Sequence, residues 1–303
     1  MPHLPYLPHP PYPPYPSERH MPSFDVTRSR FRLADDEVFV LAQLATGQPV
    51  PESMAPAEAR LRDAGLISAA GELSTLLLPL LQTLVNPTVI LSLEAGGRQG
   101  TLHHGLLIGE DHVVCHETWP GEEEAVYRLV EPRTVVWTLA DLIALRQSDT
   151  SGAGPAGEQV VETTVGVLEA GLQAQEKAAS TPGADERQLV VEALRATGAA
   201  EGTATLLAQL IVEVRSSWRM TAAWQGHQDG EAGVRARVVA AWDCGPLGYW
   251  LRELPAEPVT EGEVTAASPF RLRRVAPKRI WQELTGLLPD ESEIVRREAP
   301  PQA

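Results

Sequence analysis

One order of elements runs through this chain twice, and that constrains its fold more than any single motif. A block from Leu61 to about Arg146 is echoed, in the same order, by one from Leu194 to about Pro289. Leu61-Arg62-Asp63-Ala64-Gly65 corresponds to Leu194-Arg195-Ala196-Thr197-Gly198, each closing an apolar helical pattern with a glycine. Leu76 to Leu84 corresponds to Leu206 to Ile211, two leucine-rich helices that run into strand-like sequence. Val113-Val114 and Val238-Val239 follow, and then Pro132-Arg133 through Trp137 to Leu142 against Pro277-Lys278 through Trp281 to Leu287. A period of roughly 130 residues exceeds the ~20–50 of solenoid and propeller units, so it points to a duplicated half-domain. Neither copy carries an obvious catalytic constellation.

The 303 residues, 43% of them hydrophobic, suffice for one large core or two fused ones. A formal charge of −15, from 40 acidic and 25 basic residues, opposes binding to phosphate backbones and anionic lipid, because both depend on neutralisation by Lys and Arg. Nucleic acid and membrane are therefore not expected partners. No continuous apolar stretch of about 18 residues occurs, and no charged start precedes an apolar run, so a cytoplasmic location is expected. Cys115 and Cys244 are expected to remain thiols in a chain with ample core.

Residues 1–24 alternate Pro with Tyr, Leu and His, which removes backbone donors and favours extended conformations. They read as a disordered tail, or as upstream translation ahead of a start at Met21. Pro10-Pro11-Tyr12-Pro13-Pro14-Tyr15 does not supply the Pro-Pro-x-Tyr order of WW-domain ligands. Residues 25–148 form the first half. Helical spacing starts at Leu33 and continues through Val38, Leu41 and Leu44 to Gly47; a second helix runs from Pro56 to Gly65 and a third from Leu73 to Val85. A meander follows: Val89 to Leu93, a Gly96-Gly97 turn, Leu102 to Ile108, a hairpin turn at Gly109-Glu110-Asp111, His112 to His116, and Val126 to Val130. Val135, Val136, Leu139, Leu142 and Ile143 make the closing helix.

Residues 149–157, rich in Gly, Ala and Pro, read as a linker. The second half, 158–297, opens with helices at Glu158 to Lys177 and Asp185 to Ala196. Leu210, Val212 and Val214 alternate as in a strand, and Trp218, Met220, Ala222 and Trp224 do so over a longer one. Gly226 to Gly233 turns the chain, Val234 to Asp243 returns, Gly245-Pro246-Leu247-Gly248 turns again, and Tyr249 to Leu254 is a third strand. A helix from Pro277 closes the half, and residues 298–303 are a tail.

His112, Cys115 and His116, with His103 and His104 nearby, resemble a metal-ligand set. On a strand, however, His112 and His116 share one face and Cys115 points to the other, so neither a metal site nor a nucleophilic thiol is expected. Glu122-Glu123-Glu124 reads as a solvated hairpin tip. No nucleotide-binding loop, His-Glu-x-x-His or Gly-x-Ser-x-Gly motif occurs, so no cofactor, metal or catalytic residue is expected. Trp218, Trp224, Trp242 and Trp250 lie on second-half strands. Each alone reads first as core, but their density in one copy marks a candidate partner-binding face. The run Ala57 to Leu84 has the cadence of a winged helix, giving the alternative of a regulatory protein with a degenerate module of that kind. Seven acidic residues against two arginines across Leu33 to Val85 oppose DNA binding.

The pattern resembles the EspG family, the cytosolic chaperones of type VII (ESX) secretion, over roughly residues 30 to 290. The resemblance rests on size, acidity, the duplicated order of elements and runs such as Trp242-Asp243-Cys244-Gly245-Pro246-Leu247-Gly248-Tyr249. In the family a comparable strand carries an aspartate before a Gly-Arg pair; Leu247-Gly248-Tyr249 keeps the glycine and lacks the arginine. The resemblance implies an α+β fold of two pseudo-symmetric halves, each a helical bundle, an antiparallel meander and a closing helix. It also implies a non-enzymatic chaperone or adaptor whose partner is a helical secreted protein, PE–PPE-like, with an exposed apolar tip.

Overall fold

The computed structural model describes residues 21–25, 27–97, 100–146, 159–228, 231–255 and 262–295. In chain order the first half contains β1 (Ser23–Asp25), β2 (Arg30–Ala34), α1 (Asp35–Ala45), α2 (Ala55–Asp63), α3 (Leu78–Val85), β3 (Val89–Gly97), β4 (Gly100–Ile108), β5 (Val113–Glu117), β6 (Glu124–Val130) and α4 (Val135–Leu142). The second contains β7 (Val160–Thr164), α5 (Val165–Ala179), α6 (Glu186–Ala196), α7 (Glu201–Glu213), β8 (Ser216–Gln228), β9 (Glu231–Asp243), β10 (Tyr249–Arg252), β11 (Pro269–Val275) and α8 (Pro277–Leu287). The proposed linker and the two chain ends, 1–20 and 296–303, lie outside the described residues.

The described strands form one antiparallel sheet in the order β1-β2-β6-β5-β4-β3-β8-β9-β10-β11-β7. Apart from β1, this order runs alike inward from either edge: β2, β6, β5, β4, β3 on one side and β7, β11, β10, β9, β8 on the other. The seam is the β3–β8 ladder, nine residue pairs from Val89–Trp224 to Gly97–Ser216. Three of the four sequence echoes fall on corresponding elements: the ends of α2 and α6, the helices α3 and α7, and the helices α4 and α8. The fourth does not, because Val113-Val114 lies on β5 and Val238-Val239 on β9, whose counterpart is β4.

Three apolar clusters lie on two faces. On the first face, Val89, Leu91 and Leu93 of β3, Trp218, Met220, Ala222 and Trp224 of β8, and Tyr249 and Leu251 of β10 are covered by Leu139 of α4 and Ile280, Leu284 and Leu287 of α8. The i, i+4, i+7 spacing in α8 aims all three at the sheet. On the second face, α1–α3 cover Phe31, Leu33, Val114 and Tyr127 near one edge. There, α5–α7 cover Trp250, Phe270 and Leu272 near the other. Each leucine-sized side chain fully buried in these clusters contributes about 1.5–3 kcal/mol.

Several sequence expectations need correction. Leu33 belongs to β2 and Val160 to β7, not to helices; both strands pass into α1 and α5 without an intervening turn residue, so the apolar spacing of strand and helix merges. Ser23–Asp25 pairs with Arg30–Arg32, so the ordered body begins inside the stretch read as a tail. Leu210 and Val212 are helical: the exposed residues of α7, Glu201, Gly202 and Thr205, lie in its first half, and the second half, where Leu207, Ala208, Leu210 and Ile211 are buried, hides the helical period. Pro269–Val275 is the strand β11, which the sequence does not announce because Arg271, Arg273 and Arg274 interrupt the apolar signal of Phe270 and Leu272. Glycines misled twice. The β3 ladder runs through Gly96-Gly97, and the β8–β9 ladder runs through the Gly226–Gly233 pair to Gln228–Glu231. At Gly226 a Cβ would come within 2.7 Å of the Glu293 carbonyl oxygen, so glycine here serves a close crossing, not a turn.

Candidate functional site: the open face of the sheet

Between the two bundles the second face of the sheet is uncovered among the described residues. Alternation along β3 sends Val89, Leu91 and Leu93 into the core and Ile90, Ser92 and Glu94 outward, with Ile90 47% exposed. The ladder partners of these outward residues share their face: Leu107, Gly105 and His103 on β4, and Ala223, Thr221 and Arg219 on β8. The row continues onto β9, where Ala236, Val238 and Ala240 oppose Ala223, Thr221 and Arg219, and Val234, 68% exposed, opposes Gln225. The floor of this trough is thus a band of small and apolar residues crossed by one polar row. No described helix carries its buried face here, since α1–α3 and α5–α7 close over the outer strands.

The polar row crosses six strands as His103, Glu94, Arg219, Ala240, Arg252 and Leu272. Arg252 follows Leu251, which faces Ala241, and so lies beside Ala240. At about 4.8 Å between strands, Arg219 and Arg252 start about 10 Å apart, separated by a methyl group. The Arg252 guanidinium sits 5.2 Å from the centroid of Phe270. Partial burial, and then the neighbouring charge of Arg219, lower its pKa from the usual arginine range. Neither arginine makes an ion pair among the described residues, whereas Arg271 on the opposite face of β11 bridges Glu162 at 2.9 Å and Glu253 at 2.7 Å.

The four tryptophans singled out in the sequence do not make a surface. Trp250 is 1%, Trp218 3% and Trp224 6% exposed. They do not share a face either: Trp218 and Trp224 fill the core under α4 and α8, whereas Trp250 lies beneath α5–α7 and its Nε1 donates to the Leu247 carbonyl. Trp242 is half-buried against Phe270. Trp224 is further shielded by the C-terminal segment, donating from Nε1 to the Glu293 carbonyl at 3.3 Å with the Arg237 guanidinium over its ring. The exposed tryptophans are Trp119 and Trp137, at 46% and 59%. Trp137 meets Trp281 edge-on at 4.5 Å where α4 and α8 touch.

The histidine-cysteine group is dispersed. Cys115 is buried on the first face, with Sγ 3.7 Å from Glu117 Oε1; burial pushes its thiol up to about 12, which removes nucleophilic character. His116 lies on the other face beside Tyr127. His104 Nδ1 accepts from the Thr118 backbone N–H at 3.2 Å. Among the described residues no group of three or more His, Cys, Asp and Glu fits a metal ion. Both cysteines are free. The winged-helix reading gains no support, since Leu77, Leu80 and Leu81 of its last helical segment are spent on the core. No described helix is long and apolar enough to cross a membrane.

The residues of the trough were not chosen from the sequence, although the signal was there. The alternation that exposed Trp218, Met220, Ala222 and Trp224 as one face of β8 defines the opposite face as Arg219, Thr221, Ala223 and Gln225.

No protein-family model and no curated protein matches this sequence. Among solved structures, the chain is similar to EspG5, the type VII secretion chaperone of Mycobacterium tuberculosis, determined in complex with a PE25–PPE41 dimer. The TM-score is 0.53 at 13% identity, over 88% of this chain and all of that one. The resemblance carried by the order of elements is a likeness of architecture, and this chain has the α+β fold of the EspG chaperone.

Proposed function

We propose that this protein is a cytoplasmic, non-enzymatic chaperone or adaptor that holds the end of a helical secretion substrate, PE–PPE-like, in the trough between its two bundles. One observation carries the reading: in a chain with the EspG fold the described residues leave the middle of the sheet bare, with Ile90 and Val234 exposed on strands whose other face enters the core at Val89, Leu91, Leu93, Val239 and Ala241. Such a face is large, rigid and preorganised, so docking a helix end on it costs little conformational entropy and removes apolar surface from water. Buried Trp218 and Trp224 support the floor from beneath, while Trp242 and Trp250 lie at its side under α5–α7.

The test is co-expression with a PE–PPE-type helical pair from the same genome, followed by size-exclusion chromatography. A stoichiometric complex that keeps the pair soluble is expected. Ile90→Asp together with Thr221→Arg is expected to abolish it without changing the melting temperature by more than a few degrees. A pair that stays aggregated, or that binds the trough variant equally well, overturns the reading.

A further inference from the structure

Arg219 and Arg252 share one row of the open sheet face. The protein carries a formal charge of −15, and most of its arginines are neutralised in place, as in Arg32–Glu122 at 3.0 Å, Arg60–Glu37 at 2.7 Å, Arg128–Glu117 at 2.8 Å and Arg237–Glu293 at 2.5 Å. In the trough Arg219 and Arg252 instead start from strand positions on either side of Ala240, with no ion-pair partner among the described residues and with the Arg252 guanidinium over Phe270. Two like charges at this spacing repel, and Arg252 is partly desolvated besides. Glu94, the ladder partner of Arg219, is the acidic group of the row, yet it forms no ion pair with it. Two planar forks rooted on a rigid sheet, with Thr221 and Val238 next along the same face and the Ile90–Ala223–Ala236 row beyond them, have the chemistry of a receptor for a carboxylate set near apolar groups.

We propose that Arg219 and Arg252 recognise a carboxylate, so that the partner docked in the trough presents an Asp or Glu side chain next to apolar residues at its helix end. This rests on the docking role proposed above and specifies its partner. A protein carboxylate suits the site better than a polyphosphate chain, because one or two negative groups meet the arginines locally while a polyanion would also meet the surrounding negative field. The two arginines then supply selectivity and register, and the apolar band supplies most of the affinity.

The experiment uses the full-length protein and two fluorescently labelled, end-blocked helical peptides, identical except that one carries two Glu beside a leucine stripe and the other two Gln. Anisotropy titrations at low salt are expected to give about tenfold tighter binding of the Glu peptide, a gap that narrows as salt is raised. Arg219→Gln with Arg252→Gln is expected to erase the gap while leaving the Gln peptide unaffected, and the corresponding Lys variants should retain part of it. Ile90→Asp should weaken both peptides. Equal affinity for the two peptides, or a gap that survives the double Gln variant, overturns the carboxylate assignment; if Ile90→Asp still abolishes both, docking in the trough stands without it. Absence of binding by either peptide overturns both.

Discussion

At the scale of single residues, burial and partnership decide chemistry more firmly than residue type does. His104 looked like a ligand in the sequence and is instead an acceptor, its Nδ1 bound to the Thr118 N–H and its ring beside Trp119. Burial lowers its pKa below the ordinary 6.5, opposed by Glu117 and reinforced by His103; His116 is lowered in the same way by burial. The sign follows from the depressed folded value. The neutral ring is favoured in the fold, so its contribution is complete above the unfolded pKa and is lost as pH falls from about 6.5 through the folded value. Protonation at Nδ1 would also remove the acceptor for Thr118. Urea midpoints are therefore expected to fall between pH 7 and pH 5, less steeply in His104→Asn, whose amide oxygen replaces the acceptor without titrating. An imidazole titration by NMR that places His104 above 6.5 would remove the basis of this expectation.

At the scale of elements, legibility in the sequence tracked how much of an element faces water. Half-buried pieces such as β3, β4 and α8 announce their period, although β3 and β4 extend further at the Gly96-Gly97 end than the sequence predicts. The end of α7 reads as a strand because its exposed residues, Glu201, Gly202 and Thr205, lie in the first half of the helix, and β2 and β7 merge with the helices they feed. The proposed docking face is hidden for a like reason: large apolar Trp218, Met220 and Trp224 mark the packed side of β8, while its open side carries ordinary polar and small residues. The closing helices α4 and α8 were legible and were matched to each other through Trp137 and Trp281, which proves to be a real contact across the middle of the molecule. Because Trp137 is 59% exposed, its truncation should cost little through area alone, and the edge-on pair should account for most of the effect. A double-mutant cycle with Trp137→Phe and Trp281→Leu, followed by chemical denaturation, should return a coupling of about 0.5–1.5 kcal/mol. Additive effects would show that the two helices pack independently.

At the scale of the whole molecule, the duplicated order of elements suggests two halves, but the packing joins them into one body. The cluster beneath α4 and α8 draws Val89, Leu91, Leu93 and Leu139 from before residue 149 and Trp218, Met220, Trp224, Ile280 and Leu284 from after 157. The seam adds the nine-pair β3–β8 ladder. Cutting the chain between the halves and separating them would leave a long unpaired edge of Val, Ile and Leu on one side and of Trp and Met on the other, each beside half a core. We therefore propose that the divisions at 25–148 and 158–297 mark structural repeats and not independently folding domains. Residues 21–150 and 151–303 expressed alone should be insoluble, or should lack a cooperative unfolding transition and bind a hydrophobic dye. Produced together as separate chains they should reassemble, because the ladder and the shared core are encoded in the two surfaces and the connection between them contributes mainly loop-closure entropy, which grows only slowly with loop length. A first half that unfolds cooperatively by itself would mean that α4 alone completes a core beneath β3–β6, and the trough would then be a crevice between two domains whose width a partner could change.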